Sequence, residues 1–488
     1  MSLVFRMVRC LSVVFIVLLS ACVKPAYIMD TEKSQPSVVK CSQFFNQLDT
    51  AIKHEGVQDV QASRVDGLPF LRANRFLASF ADDDMNDAQF ATWLEKMNAL
   101  AVEGYSLEWK NLSEQGKRTV SYTSFSSFAK KLSYCSVVSV HHLKEMPNSK
   151  VSLKKTVHVS DDYQLWKRTL GLYPISAWAF LLGIHDWHQQ TKQVFAQSLS
   201  KLEVKGKMYR YASKFVGASH IDDWQWDALN IPILSESVKQ QLFEKFAPNL
   251  EVDVGQLDDE IGRVRRDDAV SIDVRHPVVY QKLSYTRFHG EILPQLNYIF
   301  WFPSRPKASA LDMLAGSVDS IMWRVTLTPD GKPLLYDAIH SCGCYHMFFP
   351  TDKLSLLPQN KILDEGALVP QMAPNLKAGT KITLRIEQGT HYIQKIFLSD
   401  ANRASDKPYM MLDYNELRAL PHKNGFHSAF NHEGIMPHTE RLEAYFFWPM
   451  GIAKPGSMRQ WGHHATAFVG HRHFDDAHLL ERYFILKE

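Results

Sequence analysis

The sequence predicts an α+β protein in which a helix-rich N-terminal region precedes an antiparallel, β-rich C-terminal region. Two patterns lead to this fold class. Before about residue 265, apolar residues recur at helical spacing. After it, apolar and polar residues alternate in segments that turn residues separate. The composition agrees with a folded chain. Of 488 residues, 45% are hydrophobic and 22% are charged, which is typical of a globular protein and not of a disordered one.

Helices are expected at three places in the N-terminal region. Asp87 can cap a helix that Gly104 ends, and Pro174 can open a second that runs to about residue 198. Residues 235–246 predict a third helix, while residues 137–140 favour a strand.

Turn chemistry predicts two hairpins in the C-terminal region. Residues 321–327 pair with 334–339 across a Pro-Asp-Gly turn, and residues 381–387 pair with 391–398. The remaining elements expected there are strands at 269–275, 278–288, 443–448 and 465–474, and a helix at 475–484.

The first 22 residues have the pattern of a secretory leader. Arg6 and Arg9 precede an apolar run over residues 11–19, and the segment ends in Leu19-Ser20-Ala21-Cys22. This ending resembles the lipobox of bacterial lipoproteins. The resemblance implies that residues 1–21 are removed, that Cys22 is lipidated with acyl chains of the palmitate type, and that the protein is attached to a membrane of the cell envelope. Val23, where an Asp would favour retention, implies the outer membrane with its periplasm.

The chain therefore divides into four parts. A leader spans residues 1–21, a lipidated Cys and polar tether residues 22–40, a mostly helical region residues 41–265, and a β-rich region residues 266–488.

The charge balance limits the kind of partner. A formal charge of +3 falls to +1 when the two leader arginines leave, so we expect no nucleic-acid partner. Neither GxGxxG nor GxxxxGK[ST] occurs, so we expect no nucleotide cofactor. The partner, besides the membrane, is then a protein, a wall component or a small molecule.

Four cysteines remain available besides Cys10 in the leader and the lipidated Cys22, and in an oxidising compartment they tend to pair. Four cysteines allow three connectivities, of which Cys41–Cys135 is the most economical because it keeps Cys342-Gly343-Cys344 as a unit. We interpret that bridge as structural.

The strongest candidate for chemistry is the segment His340-Ser341-Cys342-Gly343-Cys344-Tyr345-His346. Imidazole and thiolate are ligand types that zinc prefers, so zinc is a possible cofactor. A straight strand would hold His340 and His346 about 20 Å apart, so Gly343 must bend the chain or other segments must complete the site. A Cys342–Cys344 disulfide or redox pair, and plain packing, remain open alternatives.

Histidines are also dense near the C-terminus. His471 and His473 would lie on one face of a strand and offer half of a transition-metal site, although a polar surface with scattered histidines is the alternative. His289 and Glu291 are candidates for a metal ligand and a catalytic carboxylate, or for a general base and its orienting acid.

Two other features have a structural and a functional interpretation. His185 and His188 follow an apolar run and share a helix face, which favours the solvent-facing end of a buried helix. Aromatic and turn residues with Arg459, over residues 448–462, either line a cleft or cap the sheet.

Two function classes follow. The first is a lipid-anchored envelope protein that binds a partner or ligand without turnover, which we favour because no complete catalytic signature is present. The second is a zinc-dependent hydrolase that uses His and Cys ligands from the C-terminal half around an activated water.

Overall fold

The structure, a computed structural model, is α+β as predicted, with helices mainly in the N-terminal half and a large curled sheet in the C-terminal half. It describes residues 35–213, 224–309, 312–359 and 362–487. Cys22 and the leader lie outside the described residues.

The helices of the described residues follow in chain order, and most precede residue 250. They are α1 (Pro36–Glu55), α2 (Arg75–Ala78), α3 (Asp87–Asn111), α4 (Glu114–Thr119), α5 (Phe125–Glu145), α6 (Ser149–Thr156), α7 (Leu165–Leu170), α8 (Tyr173–Ala196), α9 (Glu236–Phe246), α10 (Glu443–Phe447) and α11 (Leu479–Tyr483).

The strands extend from residue 63 to residue 486. They are β1 (Ser63–Val65), β2 (Leu68–Ala73), β3 (Lys207–Ser213), β4 (Gln225–Trp226), β5 (Pro232–Ile233), β6 (Asn249–Val254), β7 (Arg263–Arg266), β8 (Val270–Asp273), β9 (Val278–Phe288), β10 (Glu291–Arg305), β11 (Gly316–Leu327), β12 (Pro333–His340), β13 (Met347–Pro350), β14 (Leu354–Leu356), β15 (Thr380–Ile386), β16 (Ile393–Asp400), β17 (Lys407–Asp413), β18 (Leu420–His422), β19 (Gly425–His427) and β20 (Phe484–Leu486).

Helices α1, α3 and α5 share one core with the hairpin β1–β2. Cys41 of α1 and Cys135 of α5 are joined by a disulfide, which is the pairing expected from the sequence. An Asn86 capping box begins α3, because the Asn86 and Gln89 side chains satisfy each other's backbone N–H groups. The helix continues past Gly104 to Asn111, where tertiary packing outweighs the weak helix propensity of glycine.

Ten strands form the main sheet in the order β13-β12-β11-β10-β9-β17-β3-β6-β15-β16. Both predicted hairpins are present as β11–β12 and β15–β16. Strands β3 and β6 precede residue 266 and pair within this sheet, so the sheet draws on both sides of the compositional boundary.

The sheet curls until its two ends meet the same helix. Near the C-terminal end of α8, Phe195 packs against Phe349 of β13, with ring centroids 5.7 Å apart. Lys395 of β16 donates a hydrogen bond to the Gln197 carbonyl oxygen just beyond that helix, at 2.6 Å. Helix α8 is therefore fixed against both edges.

Some expected elements differ from the structure. Strands were expected at residues 443–448 and 137–140, but the first segment begins with helix α10 and the second lies within α5. A preference for strands is realised only where a segment pairs with a neighbouring strand, and neither segment has one among the described residues. Residues 465–474 form only an isolated bridge between Ala465 and His473. The helix expected at 475–484 is shortened to α11.

None of the helices among the described residues combines the length and apolarity that a bilayer crossing requires.

Candidate functional site

A cavity of about 480 Å³, here called the aromatic cavity, lies where α8 meets the loops at one end of the sheet. Its walls come from α8, from the turn after β12, from α10 and from the segment before His471. The lining residues are Ala179, Phe180, Gly183, Ile184, Trp187, His188, Leu314, Cys344, Tyr345, His346, Glu365, Glu443, Phe446, Phe447, Thr466 and Phe468.

Four phenylalanines form a continuous wall of this cavity. Phe180 lies 5.4 Å from Phe446 and 5.3 Å from Phe447, between ring centroids. Phe447 stacks on Phe468 at 4.4 Å. Because these rings hold one another in place, the wall is a preformed apolar surface.

Helix α8 divides its apolar residues among three faces. Ala177 and Leu181 are buried in a small core with Met450 and Val469. Phe180, Gly183 and Trp187 line the aromatic cavity, whereas a third stripe points to solvent. The apolar run noted in the sequence is therefore only partly used for packing.

Among the ionisable groups that line the cavity, Glu443 has a carboxyl pKa raised into the neutral range. The Glu443 side chain is 2% exposed, and burial raises its pKa to about 7 against the opposing attraction of Arg441 and Arg305. Near neutral pH this carboxyl is therefore partly protonated, and it can donate a hydrogen bond inside an apolar space.

The other polar residues of the cavity are fixed or neutral. Glu365 accepts a hydrogen bond from Arg472 at 2.6 Å and another from the Phe468 backbone at 2.9 Å. Burial lowers the pKa of His188 to about 4, so this imidazole is neutral. Both histidines were expected to face solvent. His185 is exposed, whereas His188 lines the aromatic cavity.

The expected zinc set His340, Cys342, Cys344 and His346 is not among the groups of three or more ligand atoms that the described residues bring within 4.8 Å of one another. His340 lies 3.4 Å from Asp319 and His346 lies 2.9 Å from Asp337, measured between a ring nitrogen and a carboxylate oxygen. Along β12, residues 337 and 340 point to opposite faces, so each imidazole meets a different carboxylate.

Cys342 and Cys344 are free, buried thiols, and the Cys344 N–H donates to the Cys342 sulfur at 3.4 Å. Gly343 bends the chain as expected, with a φ of +90° and the Ala465 carbonyl oxygen against its open side. Arg459 is buried and donates to the Cys342 carbonyl oxygen at 3.2 Å, so its loop caps the sheet.

His289 lies in a hairpin turn, Glu291 begins the strand after it, and neither residue lines the aromatic cavity. His289 and Gly290 have φ values of +51° and +81°, which is the conformation of a two-residue turn between β9 and β10. The His289 N–H donates to Glu481 at 2.9 Å.

The structure places a buried network at the closure of the sheet that the sequence did not reveal. Asp319 of β11 accepts from His391 at 2.8 Å and from Arg441 at 3.2 Å. His391 also stacks on Phe302 at 3.9 Å. Residue spacing carries no signal for this network, because its members come from separate strands and loops.

His471 and His473 do lie together, beside a carboxylate far away in the sequence. The Nε2 atom of His471 is 3.0 Å from Asp161 Oδ2, and that of His473 is 3.4 Å from Asp161 Oδ1. Next to them, His463 contacts Asp162 at 2.9 Å. The fold therefore adds Asp161 as a third candidate ligand beside His471 and His473.

Comparisons of the chain with protein-family models, with curated proteins and with solved structures return no match.

Proposed function

We propose that this chain is a lipid-anchored protein of the bacterial cell envelope that binds an apolar ligand in the aromatic cavity. The observation that carries the proposal is the preformed phenylalanine wall around about 480 Å³, a volume within the usual range of small-molecule sites. The half-protonated Glu443 supplies one polar contact inside this wall. A suitable ligand therefore has a long or bulky apolar part and one neutral polar group, as a protonated fatty acid has.

A second observation supports a membrane as the source of this ligand. Eleven large apolar side chains, each at least 37% exposed, come from α7, α8 and the segment around α10. They form what is here called the apolar face and comprise Leu165, Trp166, Leu170, Leu172, Ile175, Trp178, Leu182, Leu442, Tyr445, Phe446 and Trp448. Monomeric proteins rarely leave so many large apolar groups together in water.

The composition of the apolar face fits a lipid surface. Trp and Tyr are the residues that prefer the headgroup region of a bilayer, and α7 adds the cation Lys167. Residues 165–185 contain no carboxylate, and Glu443 in the neighbouring segment is buried. Phe446 belongs both to the apolar face and to the cavity wall, so the cavity opens beside this face.

A cavity-filling variant tests the binding proposal. A Cβ built on Gly183 meets no atom within 4 Å, so Gly183→Leu adds bulk at the cavity without a clash and with better helix propensity. Titration of the body, residues 23–488, with a fluorescent long-chain fatty acid is expected to show saturable binding that this variant weakens at least tenfold. Gln193→Leu, which adds the same side chain on the exposed part of α8, is the control and is expected to bind as the wild type does.

Equal affinity in the wild type and in Gly183→Leu would refute the cavity as the binding site. Unsaturable uptake in all three proteins would refute specific binding.

The apolar face is tested on vesicles of phosphatidylethanolamine and phosphatidylglycerol with the same non-lipidated body. Changing Ile175, Trp178 and Leu182 to Gln removes about 1 kcal/mol of apolar burial each, so vesicle binding is expected to weaken roughly 100-fold. Tyr134→Gln with Val137→Gln, at exposed apolar positions of α5, is the matched control. A concentration-dependent dimer that the triple variant abolishes, without vesicle binding, would instead assign the face to a second copy.

A zinc-dependent hydrolase built on residues 340–346 has less support, since each of its two imidazoles faces a separate carboxylate.

A further inference from the structure

We propose that Asp161, His471 and His473 bind one divalent transition-metal ion of the zinc type. This site is distinct from the aromatic cavity and does not depend on the function proposed above. Among the described residues, these three side chains bring their ligand atoms within 4.8 Å of one another.

The ligand atoms lie close enough together for one ion to reach all three. Zinc bonds of about 2.0–2.2 Å in a tetrahedral arrangement separate neighbouring ligand atoms by about 3.3 Å. The two imidazole-to-Asp161 distances are 3.0 and 3.4 Å. The separation between the two imidazole nitrogens is at most 4.8 Å, so an ion can be accommodated when the three side chains move closer together.

The backbone holds each ligand in place. Asp161 accepts the Tyr163 N–H at 2.9 Å, which fixes its carboxylate at the start of a turn. Between the two histidines, Arg472 is buried and donates to the Gly366 carbonyl oxygen and to Glu365, both at 2.6 Å. Because neighbours in an extended segment point to opposite sides, the anchoring of Arg472 directs His471 and His473 together to the other side.

A second observation points to a ligand. His473 is 4% exposed, and its Nε2 atom has no hydrogen-bond partner among the described residues. Carboxylate oxygens of Asp161 and Asp162 lie 3.4 and 3.3 Å away but are not aligned for a hydrogen bond. By contrast, His463 has a partner for each ring nitrogen, Asp162 and the Val60 carbonyl oxygen. A bound metal would give this buried imidazole nitrogen a partner aligned with its lone pair.

The site is open on one side. The side chains of His471 and Asp161 are 54% and 50% exposed, so solvent or a substrate can reach an ion held there. Asp162 is already engaged by Arg75 at 3.0 Å and by His463, which suits an orienting role rather than that of a primary ligand. Three protein ligands with an open position are the arrangement found in catalytic rather than structural zinc sites.

Zinc binding to the full-length protein in detergent, measured by competition with a chromogenic chelator, tests the proposal. The wild type is expected to bind one zinc ion per chain. His473→Ala and His471→Ala are each expected to weaken that binding at least 100-fold, and Asp161→Asn at least tenfold. His478→Ala is the matched control, because His478 pairs with Glu481 at 2.9 Å in an exposed His–carboxylate contact without a third ligand.

Cobalt substitution gives an independent readout of the ligands. Intense visible absorption, typical of four- or five-coordinate Co²⁺, is expected in the wild type and in His478→Ala but not in His473→Ala. Circular dichroism of each metal-free variant checks that it is folded. A wild type without stoichiometric zinc would overturn the proposal, and so would zinc binding that survives His473→Ala. Fatty-acid binding is expected to be unchanged in His473→Ala, which separates this test from that of the cavity.

Discussion

The buried carboxyl of Glu443 makes protein stability depend on pH in a way that one substitution should remove. Its pKa is raised from an ordinary 4.5 to about 7. The groups that face it are the cations Arg441 and Arg305, which oppose the rise, and the acids Asp319 and Asp312, which add to it. Glu443→Gln keeps the shape of the protonated acid and cannot ionise.

The sign and size of the effect follow from proton linkage. Because the folded protein holds this proton more tightly than the unfolded chain, stability falls as the pH rises from about 4.5 and levels off above about pH 7. A shift of this size corresponds to about 3 kcal/mol at 1.36 kcal/mol per pKa unit. Between pH 5 and pH 8, the wild type should therefore lose about 2–3 kcal/mol relative to Glu443→Gln.

Urea unfolding at pH 5, 6, 7 and 8, followed by circular dichroism, measures this difference directly. Comparison with Glu443→Gln at each pH cancels the contributions of all other titrating groups. Glu440→Gln, an exposed neighbour, serves as the control and is expected to follow the wild type. Parallel stability curves for the wild type and Glu443→Gln would refute the assignment of a raised pKa to this residue.

Three further predictions concern the disulfide, the buried network and the cavity. Changing both Cys41 and Cys135 to Ser is expected to lower the free energy of urea unfolding by up to about 4.7 kcal/mol, the chain-entropy value for a closed loop near 100 residues; unchanged stability would contradict it. Asp319→Ala is expected to cost about 3–5 kcal/mol in the same assay because it leaves Arg441 buried without its partner, and a loss below about 1 kcal/mol would argue against that network. Fatty-acid affinity, measured by fluorescence titration, is expected to fall more steeply between pH 6 and pH 8 in the wild type than in Glu443→Gln, since in the wild type a charged carboxylate of the protein adds to the ionisation of the ligand; identical pH profiles would exclude Glu443 from the binding site.

Local chemistry made part of the fold predictable. The Pro-Asp-Gly turn at residues 329–331 predicts β11–β12, and Pro174 predicts the start of α8 within about one residue. These signals are local because turn and cap geometry depends on neighbouring residues. The disulfide was also predictable from the sequence, because Cys41–Cys135 is the pairing that keeps Cys342 and Cys344 together as a unit.

Tertiary contacts decided the elements that were predicted wrongly. Residues 443–448 contain β-favouring aromatics, yet in α10 Phe446 and Phe447 pack on Phe180 of α8. Val137 to Val140 lie in α5 because that helix is bonded to α1 through Cys135 and packs against α3. Side-chain periodicity over a few residues cannot distinguish these cases.

The candidate sites show the same limit. His471 and His473 stand out in the sequence, but Asp161 lies 310 residues earlier and only the fold brings it to them. The motif at 340–346 shows the opposite case: its residues are close in sequence, but the chain bends at Gly343 after the end of β12, and His340 and His346 contact different carboxylates. The sequence held only an indirect signal for the aromatic cavity. The apolar run on α8 contains more apolar residues than one buried helix face would use.

Photolabelling tests the central claim, an apolar ligand in the aromatic cavity, most directly. A long-chain fatty acid carrying a diazirine at its tail would be bound to the body, activated by light and mapped by peptide mass spectrometry. We expect labels within residues 179–188 and 443–447, and their loss in Gly183→Leu but not in Gln193→Leu. Labels confined to other parts of the chain, or labels in these segments that Gly183→Leu leaves unchanged, would contradict the claim.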